Sequence, residues 1–139
     1  MNPRLKKSHA VHDKEAVWRW SREHDTCACC HAYVGMIGTI LETHHIIKAG
    51  RSDEPCNLLR LCRFCHKLAE GEKVPHPSGG HWPNLSLAMC LKLKMEADPH
   101  EWKPERLAEL RHSNLPDLKP LPELLVKERL VNNGRTYPI

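Results

Sequence analysis

Two pairs of cysteines share the same short spacing in this 139-residue chain. Cys27 and Cys30 form one Cys-x-x-Cys turn, and Cys62 and Cys65 form the other. Such a turn holds two thiolates about one metal ion's width apart, and two turns together make the tetrahedral four-sulfur site that zinc favours. A site filled by four thiolates has no open coordination position, so it stabilises a fold and does not catalyse. The spacing therefore predicts a structural zinc site.

The cysteines allow other arrangements as well. Each could be a small buried hydrophobic residue, and Cys29 could compete with Cys30 for a metal, although Cys27 and Cys29 would make a tighter turn. Cys56 and Cys90 lie outside both pairs. The segment between the two turns is longer than the usual spacer of a zinc ribbon, so we expect a structural insert between them.

Three histidines have positions that are tied to the cysteine pairs. His44 and His45 are adjacent between the two turns, and His66 directly follows Cys65. Neighbouring side chains on a strand point to opposite faces, so His44 and His45 cannot both bind one ion without local distortion. We therefore expect one of them to bind a metal and the other to transfer protons, with His66 completing the metal pair. A metal with few protein ligands keeps coordination positions free for water and substrate oxygens.

Composition limits the class of protein. The cysteine count of seven is odd, which excludes a complete set of internal disulfides. No apolar run approaches the roughly 20 residues that span a bilayer, and the basic start has no apolar signal segment. These features predict a protein that stays in the cytoplasm with reduced thiols and makes no membrane contact. An aromatic fraction of 5% predicts a modest core, which a bound metal would help to stabilise.

Residue patterns predict a mixed α+β chain in three parts. We expect a flexible basic arm over 1–12, a core over 13–71, and a connector with a helical C-terminal extension over 72–139 that packs on the core. The expected elements are a helix from Asp13 to about His24, a β-hairpin or two short strands within 32–47, a loop over 48–56, a short helix that stops at Gly71, a helix from Asn84 to about Asp98, a helix from Pro104 to about Arg111 and a short helix from Glu123 to Leu130. The tryptophans, Trp18, Trp20, Trp82 and Trp102, are expected to anchor the core.

The order of the cysteine and histidine motifs resembles that of the HNH endonucleases, which have a ββα-metal core. The matching residues are Cys27-x-x-Cys30, His44-His45, Asn57-Leu58 and Cys62-x-x-Cys65-His66. The match spans residues 27 to about 71, and the segments 50–55 and 91–99 are similar to small HNH proteins encoded by bacteriophages. The resemblance implies a small α+β fold with a treble-clef-like ββα-metal core and a structural zinc, flanked by N- and C-terminal helices.

The resemblance also implies a role for each matching residue. His44 would bind the catalytic metal, at a position that many relatives fill with Asp, and His66 would be the second ligand. His45 would be the general base. Asn57 would hold the loop so that His45 is correctly aimed. Glu70 lies about one helical turn after His66, where some relatives have a third ligand.

The expected activity is hydrolysis of DNA phosphodiester bonds with one catalytic divalent ion and products that carry a 5′-phosphate. The ion would be Mg²⁺, Mn²⁺, Ni²⁺, Co²⁺ or Zn²⁺, and imidazole ligands favour the transition metals. The protein would act in the host cytoplasm as a monomer or a homodimer, in DNA packaging or as a homing-type nuclease. Its partners would be DNA and, in a packaging role, the phage packaging machinery. The alternative is a zinc-stabilised nucleic-acid-binding module with a vestigial active site.

Positive charge surrounds the motif region of a chain whose formal net charge is +4. Arg51 is the foremost candidate for a phosphate contact, followed by Lys48 and Arg63. Ordinary solvated surface charge is the alternative for each of them.

Overall fold

The computed structural model of the chain describes residues 9–130. Within that range the protein is a small mixed α+β structure with a two-stranded antiparallel sheet. Residues 1–8 of the expected basic arm lie outside the described residues. The elements are α1 (Lys14–Arg22), β1 (Leu41–His45), β2 (Leu58–Cys62), α2 (Arg63–Ala69), α3 (Leu87–Ala97), α4 (Pro104–Arg111) and α5 (Glu123–Leu125), which continues as a π-helical segment (Val126–Leu130), together with 3₁₀ turns at Ala49–Arg51, Pro55–Asn57 and Pro99–Glu101.

The sheet joins two segments that are separated by a loop. In its register His44 pairs with Leu59 and His45 pairs with Leu58. The expectation of a hairpin or two strands within 32–47 is wrong, because this stretch contributes only β1. Residues 33–40 form successive turns, including one through Gly38 at a φ of +80°, so the chain reaches extended structure only at Leu41. The leucine-rich segment after the loop supplies the partner strand.

Helix α2 begins where β2 ends, and Cys62 makes the junction. The Sγ atom of Cys62 accepts a hydrogen bond from the backbone N–H of Cys65 at 3.4 Å, which caps the helix. The helix ends before Gly71, whose φ of +83° suits glycine far better than other residues. The two strands and α2 therefore form one contiguous unit, since α2 contacts both β1 and β2.

The helices on either side of this unit follow the sequence patterns with two exceptions. Asp13 caps α1 as expected, its Oδ1 accepting from Ala16 N–H at 3.1 Å. Ser86 and not Asn84 caps α3, because the Asn84 amide instead donates to Leu68 O and Glu72 O and fixes the turn after α2. Trp18 is 59% exposed, so its assignment to the core is wrong.

In the described residues, one hydrophobic cluster joins the cysteines of the two Cys-x-x-Cys turns to the C-terminal helices. Leu91 of α3, Leu107 of α4 and Leu125 of α5 belong to the same buried cluster as Leu59 and Leu61 of β2. Residues beyond the motif region thus supply a large part of the core. Among residues 9–130, no helix combines the length and the apolar character that crossing a membrane requires.

Lys94 is a fully buried cation beneath the sheet. Its Nζ donates to Pro55 O and Leu58 O, both at 2.8 Å, and to Asp98 Oδ2 at 2.6 Å. It also lies 4.7 Å from the centre of the Trp20 ring. A buried ammonium is tolerated only when its protons are all satisfied, so Lys94 ties α3 to the chain on both sides of Asn57.

We expect Lys94→Met to lower the free energy of unfolding by about 3 kcal/mol, because it leaves two carbonyls and a carboxylate without their cation. Urea unfolding followed by circular dichroism measures this loss. Lys92→Met is the matched control on the same helix, since Lys92 forms only a partly exposed pair with Glu96 and should cost less than about 0.5 kcal/mol. Equal stability of the two variants would contradict this role of Lys94.

Candidate metal centre and active site

The structure brings the four predicted cysteines together. Cys27, Cys30, Cys62 and Cys65 are buried, and their sulfur atoms all lie within 4.8 Å of one another. The sulfurs of Cys30 and Cys62 are 3.7 Å apart. Zinc–sulfur bonds of about 2.3 Å in a tetrahedron place the sulfurs about 3.8 Å apart, so the cluster could hold a zinc ion. Cys29 is also buried but does not belong to this group.

The four clustered cysteines shift one another's pKa values in opposite directions. Hydrogen bonds from the other sulfurs, Cys27 first, lower the pKa of Cys30 far below that of an ordinary thiol. Hydrogen bonding with Cys27 is also the largest influence on Cys62, whose pKa falls to about 7. Burial raises the pKa of Cys27, and hydrogen bonds with the neighbouring cysteines raise that of Cys65. Metal binding requires deprotonated cysteines, so a metal would have to displace the protons of these two thiols.

Arg129 adds a positive charge beside the cysteines. Its Nη2 lies 4.0 Å from Cys62 Sγ, and its guanidinium lies 4.1 Å from the centre of the Phe64 ring. Four thiolates around one divalent ion carry a net charge of about −2. A nearby guanidinium offsets part of that charge. The π-helical segment after α5 therefore places a cation beside the cysteines.

A second group of side chains converges beside α2. His44 Nδ1 lies 3.0 Å from Glu70 Oε2, and His66 Nε2 lies 3.2 Å from the same oxygen. The ligand atoms of the three residues lie within 4.8 Å of one another. His66 and Glu70 are four residues apart on and just after one helix, so they share a face, and β1 presents His44 to that face. Together these three side chains could hold a metal ion.

The protonation states of this group match those of metal ligands. Burial, followed by the charges of Lys48 and His66, lowers the pKa of His44 to about 4. Burial alone would raise the pKa of Glu70, but the hydrogen bond and charge of Lys48 outweigh it and lower the value to about 2. At neutral pH His44 is therefore a neutral imidazole and Glu70 a carboxylate, which are the forms that bind metals.

His45 diverges from His44, as alternation along a strand predicts. His45 Nε2 lies 2.7 Å from Asp53 Oδ1. Asp53 is a carboxylate: burial raises its pKa, but the hydrogen bonds from His45 and from Asp13 N–H, together with the nearby histidines, outweigh burial and lower it. His45 Nε2 therefore carries the proton and donates it. In the neutral form of this ring Nδ1 holds the lone pair, and this atom is buried without a hydrogen-bond partner among the described residues. Asp53 therefore fixes both the orientation and the tautomer of the His45 ring.

Asn57 locks the loop that joins the two strands. Its side chain is fully buried. Its Oδ1 accepts from Ile47 N–H at 2.7 Å, and its Nδ2 donates to Ile47 O at 3.2 Å and to Ser52 O at 3.0 Å. The loop after His45 is thus held against the start of β2, which is the holding function expected for Asn57 from the sequence.

A cavity of about 370 Å³ adjoins the histidine group. Its lining includes His45, His66 and Glu70, and it also includes the cations Arg51 and Arg63. Lys67 and two further carboxylates, Glu42 and Glu72, also line it. The cavity therefore combines candidate metal ligands, the candidate base and side chains of both charges.

The three predicted phosphate contacts differ in their surroundings. Arg51 is exposed at the cavity, at a φ of +46° that ends a 3₁₀ turn. Arg63 pairs with Glu42, with Nε 3.0 Å from Oε2, and is 56% exposed. Lys48 Nζ instead donates to Glu70 Oε2, so the structure places it on a carboxylate of the candidate metal group.

Sequence reasoning missed several partners of the candidate site residues. Asp53 on His45, Glu42 on His66 Nδ1 at 2.8 Å and Lys48 on Glu70 are contacts between separate elements. A carboxylate close after the histidine pair hinted at Asp53, since the loop reads Ser-Asp-Glu. The other contacts depend on how α2 packs against β1, which no local pattern specifies.

Comparison with known proteins finds no family model, no curated protein and no solved structure that matches this chain. The HNH resemblance therefore stays a prediction from the sequence motifs.

Proposed function

We propose that this protein is a metal-dependent DNA endonuclease of the HNH type. The observation that carries the proposal is the convergence of His44, His66 and Glu70 into one candidate metal group, beside a cavity that His45 also lines. A protein that only binds nucleic acid needs no such pairing of metal ligands with an oriented imidazole.

The chemistry follows from the residue types. His44, His66 and Glu70 would hold a divalent ion, which would supply positive charge to a non-bridging phosphate oxygen and to the departing 3′ oxygen. A water oxygen forms a bond to phosphorus as the bond to the 3′ oxygen breaks, and the proton of the water passes to His45. The departing 3′ oxygen takes up a proton from solvent water, so the cut strand has a 5′-phosphate on one product and a 3′-hydroxyl on the other.

His45 would accept the proton through Nδ1, because Nε2 is already protonated against Asp53. Since Nδ1 is buried here, proton transfer requires a movement of the His45 ring or of the adjoining loop that admits water. Asp53 then stabilises the imidazolium that forms, since an ionised carboxylate beside it favours the charged ring.

Positive side chains would align the substrate. Arg51 and Arg63 line the cavity and are placed to contact phosphate oxygens next to the scissile bond, while Lys48 would be displaced from Glu70 when a metal binds. Guanidiniums suit this task because they form paired hydrogen bonds to phosphate.

The four-cysteine cluster would hold a structural zinc ion. Zinc there fixes the turn of Cys27 and Cys30 against the β2–α2 junction, and Arg129 offsets the charge of the thiolates. The ion would be remote from the chemistry, since four sulfur ligands leave it no open position.

One observation favours the alternative of a nucleic-acid-binding module with a vestigial site. Lys48 Nζ already satisfies Glu70 Oε2, so the group is charge-balanced without a metal. Metal-dependent cleavage separates the two functions, because only the nuclease requires the metal to displace Lys48.

The zinc assignment predicts about one tightly bound zinc ion per chain. We expect Cys62→Ser to lose it, because one of the four thiolate ligands is removed, while a serine hydroxyl can still cap α2. Elemental analysis of purified protein measures the content. His44→Ala and Cys90→Ala should both keep the ion, since His44 belongs to the other group and Cys90 is a buried cysteine outside the cluster. Full zinc content in the Cys62→Ser protein would refute the assignment.

The nuclease assignment predicts nicking of supercoiled plasmid when Mg²⁺, Mn²⁺, Ni²⁺ or Co²⁺ is added. We expect His45→Ala to lower the rate about 10²- to 10⁴-fold, because the general base is lost. His100→Ala is the control, since His100 is an exposed residue on the turn before α4 and should cut at the wild-type rate. Equal cutting by wild type and His45→Ala with every metal would rule out this mechanism.

A further inference from the structure

A second cavity lies on the other side of His45, between α1 and the sheet. It has a volume of about 570 Å³, and we call it the α1 groove. Trp18, Lys14 and Arg22 of α1 form one wall, and His45 and Arg60 lie on the other. The proposed nuclease chemistry uses none of these residues except His45.

Trp18 gives the α1 groove an exposed aromatic surface. The side chain is 59% exposed, whereas Trp20, two residues later on the same helix, is buried at 5%. The Arg22 guanidinium lies 4.6 Å from the centre of the Trp18 ring. An indole ring beside a stacked guanidinium is a surface on which a nucleic-acid base can stack.

The charge of the α1 groove is positive. Lys14, Arg22 and Arg60 are its cations, and Asp53 is its single acidic lining residue. The Asp53 carboxylate is already occupied, because Oδ1 accepts from His45 and Oδ2 accepts from Asp13 N–H at 2.8 Å. An anionic ligand therefore meets three cations and one carboxylate whose two oxygens already accept hydrogen bonds.

The walls of the α1 groove are held in a fixed relation to the candidate active site. Ser21 on α1 and Thr43 on β1 share a hydrogen bond of 2.5 Å between their hydroxyls. Arg60 on β2 donates through Nε to His24 O at 2.8 Å. The helix is thus attached to both strands, so Trp18 keeps its position relative to His45.

His45 lines both the α1 groove and the cavity beside His66 and Glu70. A DNA strand whose scissile phosphate lies in that cavity would pass His45 and place a neighbouring nucleotide in the α1 groove. In a duplex both faces of each base are covered by its neighbours, so Trp18 can stack only on a base that is unpaired or displaced.

We propose that the α1 groove binds one unpaired nucleotide next to the scissile phosphate, with its base on Trp18 and its phosphates contacted by Lys14 and Arg22. The preferred substrate class is then single-stranded or locally unpaired DNA, such as a branch or an overhang, over intact duplex. The position of this nucleotide next to the scissile phosphate rests on the proposed nuclease function. The α1 groove itself is formed by its own lining residues.

The test compares binding of a fluorescein-labelled single strand and of the matching duplex, by fluorescence anisotropy without added divalent metal. We expect wild type to prefer the single strand. Trp18→Ala should weaken single-strand binding roughly ten-fold, since stacking on an aromatic ring contributes on that scale, and should change duplex binding less than two-fold. Trp18→Phe should recover most of the lost affinity, because it restores a stacking surface.

Two further variants on α1 separate stacking from charge. Arg22→Ala should weaken binding of both DNA forms, since it removes a phosphate contact and the cation stacked on Trp18. Arg19→Ala is the matched control, because Arg19 pairs with Glu15 and does not line the α1 groove; it should leave the strand preference unchanged. Circular dichroism melting of each variant verifies that the fold is retained.

Equal loss of single-strand and duplex affinity in Trp18→Ala would overturn the proposal, and so would no loss or an absence of DNA binding by wild type. Because the assay measures binding without a catalytic metal, it is independent of cleavage. A wild-type protein that shows the expected binding pattern but never cuts DNA would support the α1 groove and contradict only the proposed nuclease.

Discussion

The placement of the candidate site depends on Cys62. This residue ends β2, caps α2 through its sulfur and belongs to the four-cysteine cluster. The direction of the helix is therefore set at the last residue of the strand, with no linker that could vary it. His66 and Glu70, one turn apart along α2, face the neighbouring strand as a consequence. A metal at the cysteines would stabilise this junction and hold the second group in register.

Buried polar contacts give the other half of the site its shape. Asn57 holds the loop after β1 through three hydrogen bonds, and Lys94 holds the carbonyls of Pro55 and Leu58 on either side of it. These contacts extend from α3 to the backbone that carries His45. The C-terminal half of the chain thus acts on the site through packing beneath it, and the sparse aromatic content is balanced by leucines and by satisfied polar groups.

Local chemistry explains which features could be predicted from the sequence. The Cys-x-x-Cys turns, the Asp13 cap and the holding function of Asn57 each depend on a few neighbouring residues or on fixed spacing. The prediction of a hairpin within 32–47 was wrong because strand propensity does not reveal which segment a strand pairs with. In the structure β1 pairs with β2, which lies beyond a loop. The prediction that Trp18 is buried was wrong because helical periodicity does not show which of Trp18 and Trp20 faces the core. That depends on how α1 packs against the rest of the protein.

Contacts between distant elements required the structure. Asp53 on His45, Arg129 beside the cysteines and the α1 groove all arise where separate segments meet, and their geometry depends on packing angles that sequence spacing does not encode. These contacts also carry the functional detail, since they determine which ring nitrogen of His45 holds a lone pair and which surfaces a substrate can reach.

A metal ion held jointly by His44, His66 and Glu70 is the feature on which the nuclease function depends. The most direct measurement is an anomalous difference map from a crystal of the protein soaked in manganese chloride. We predict a manganese peak within about 2.3 Å of His44 Nδ1 and His66 Nε2, with Lys48 moved away from Glu70. A map with metal density at the cysteines and none at these three residues would contradict a catalytic metal site at His44, His66 and Glu70.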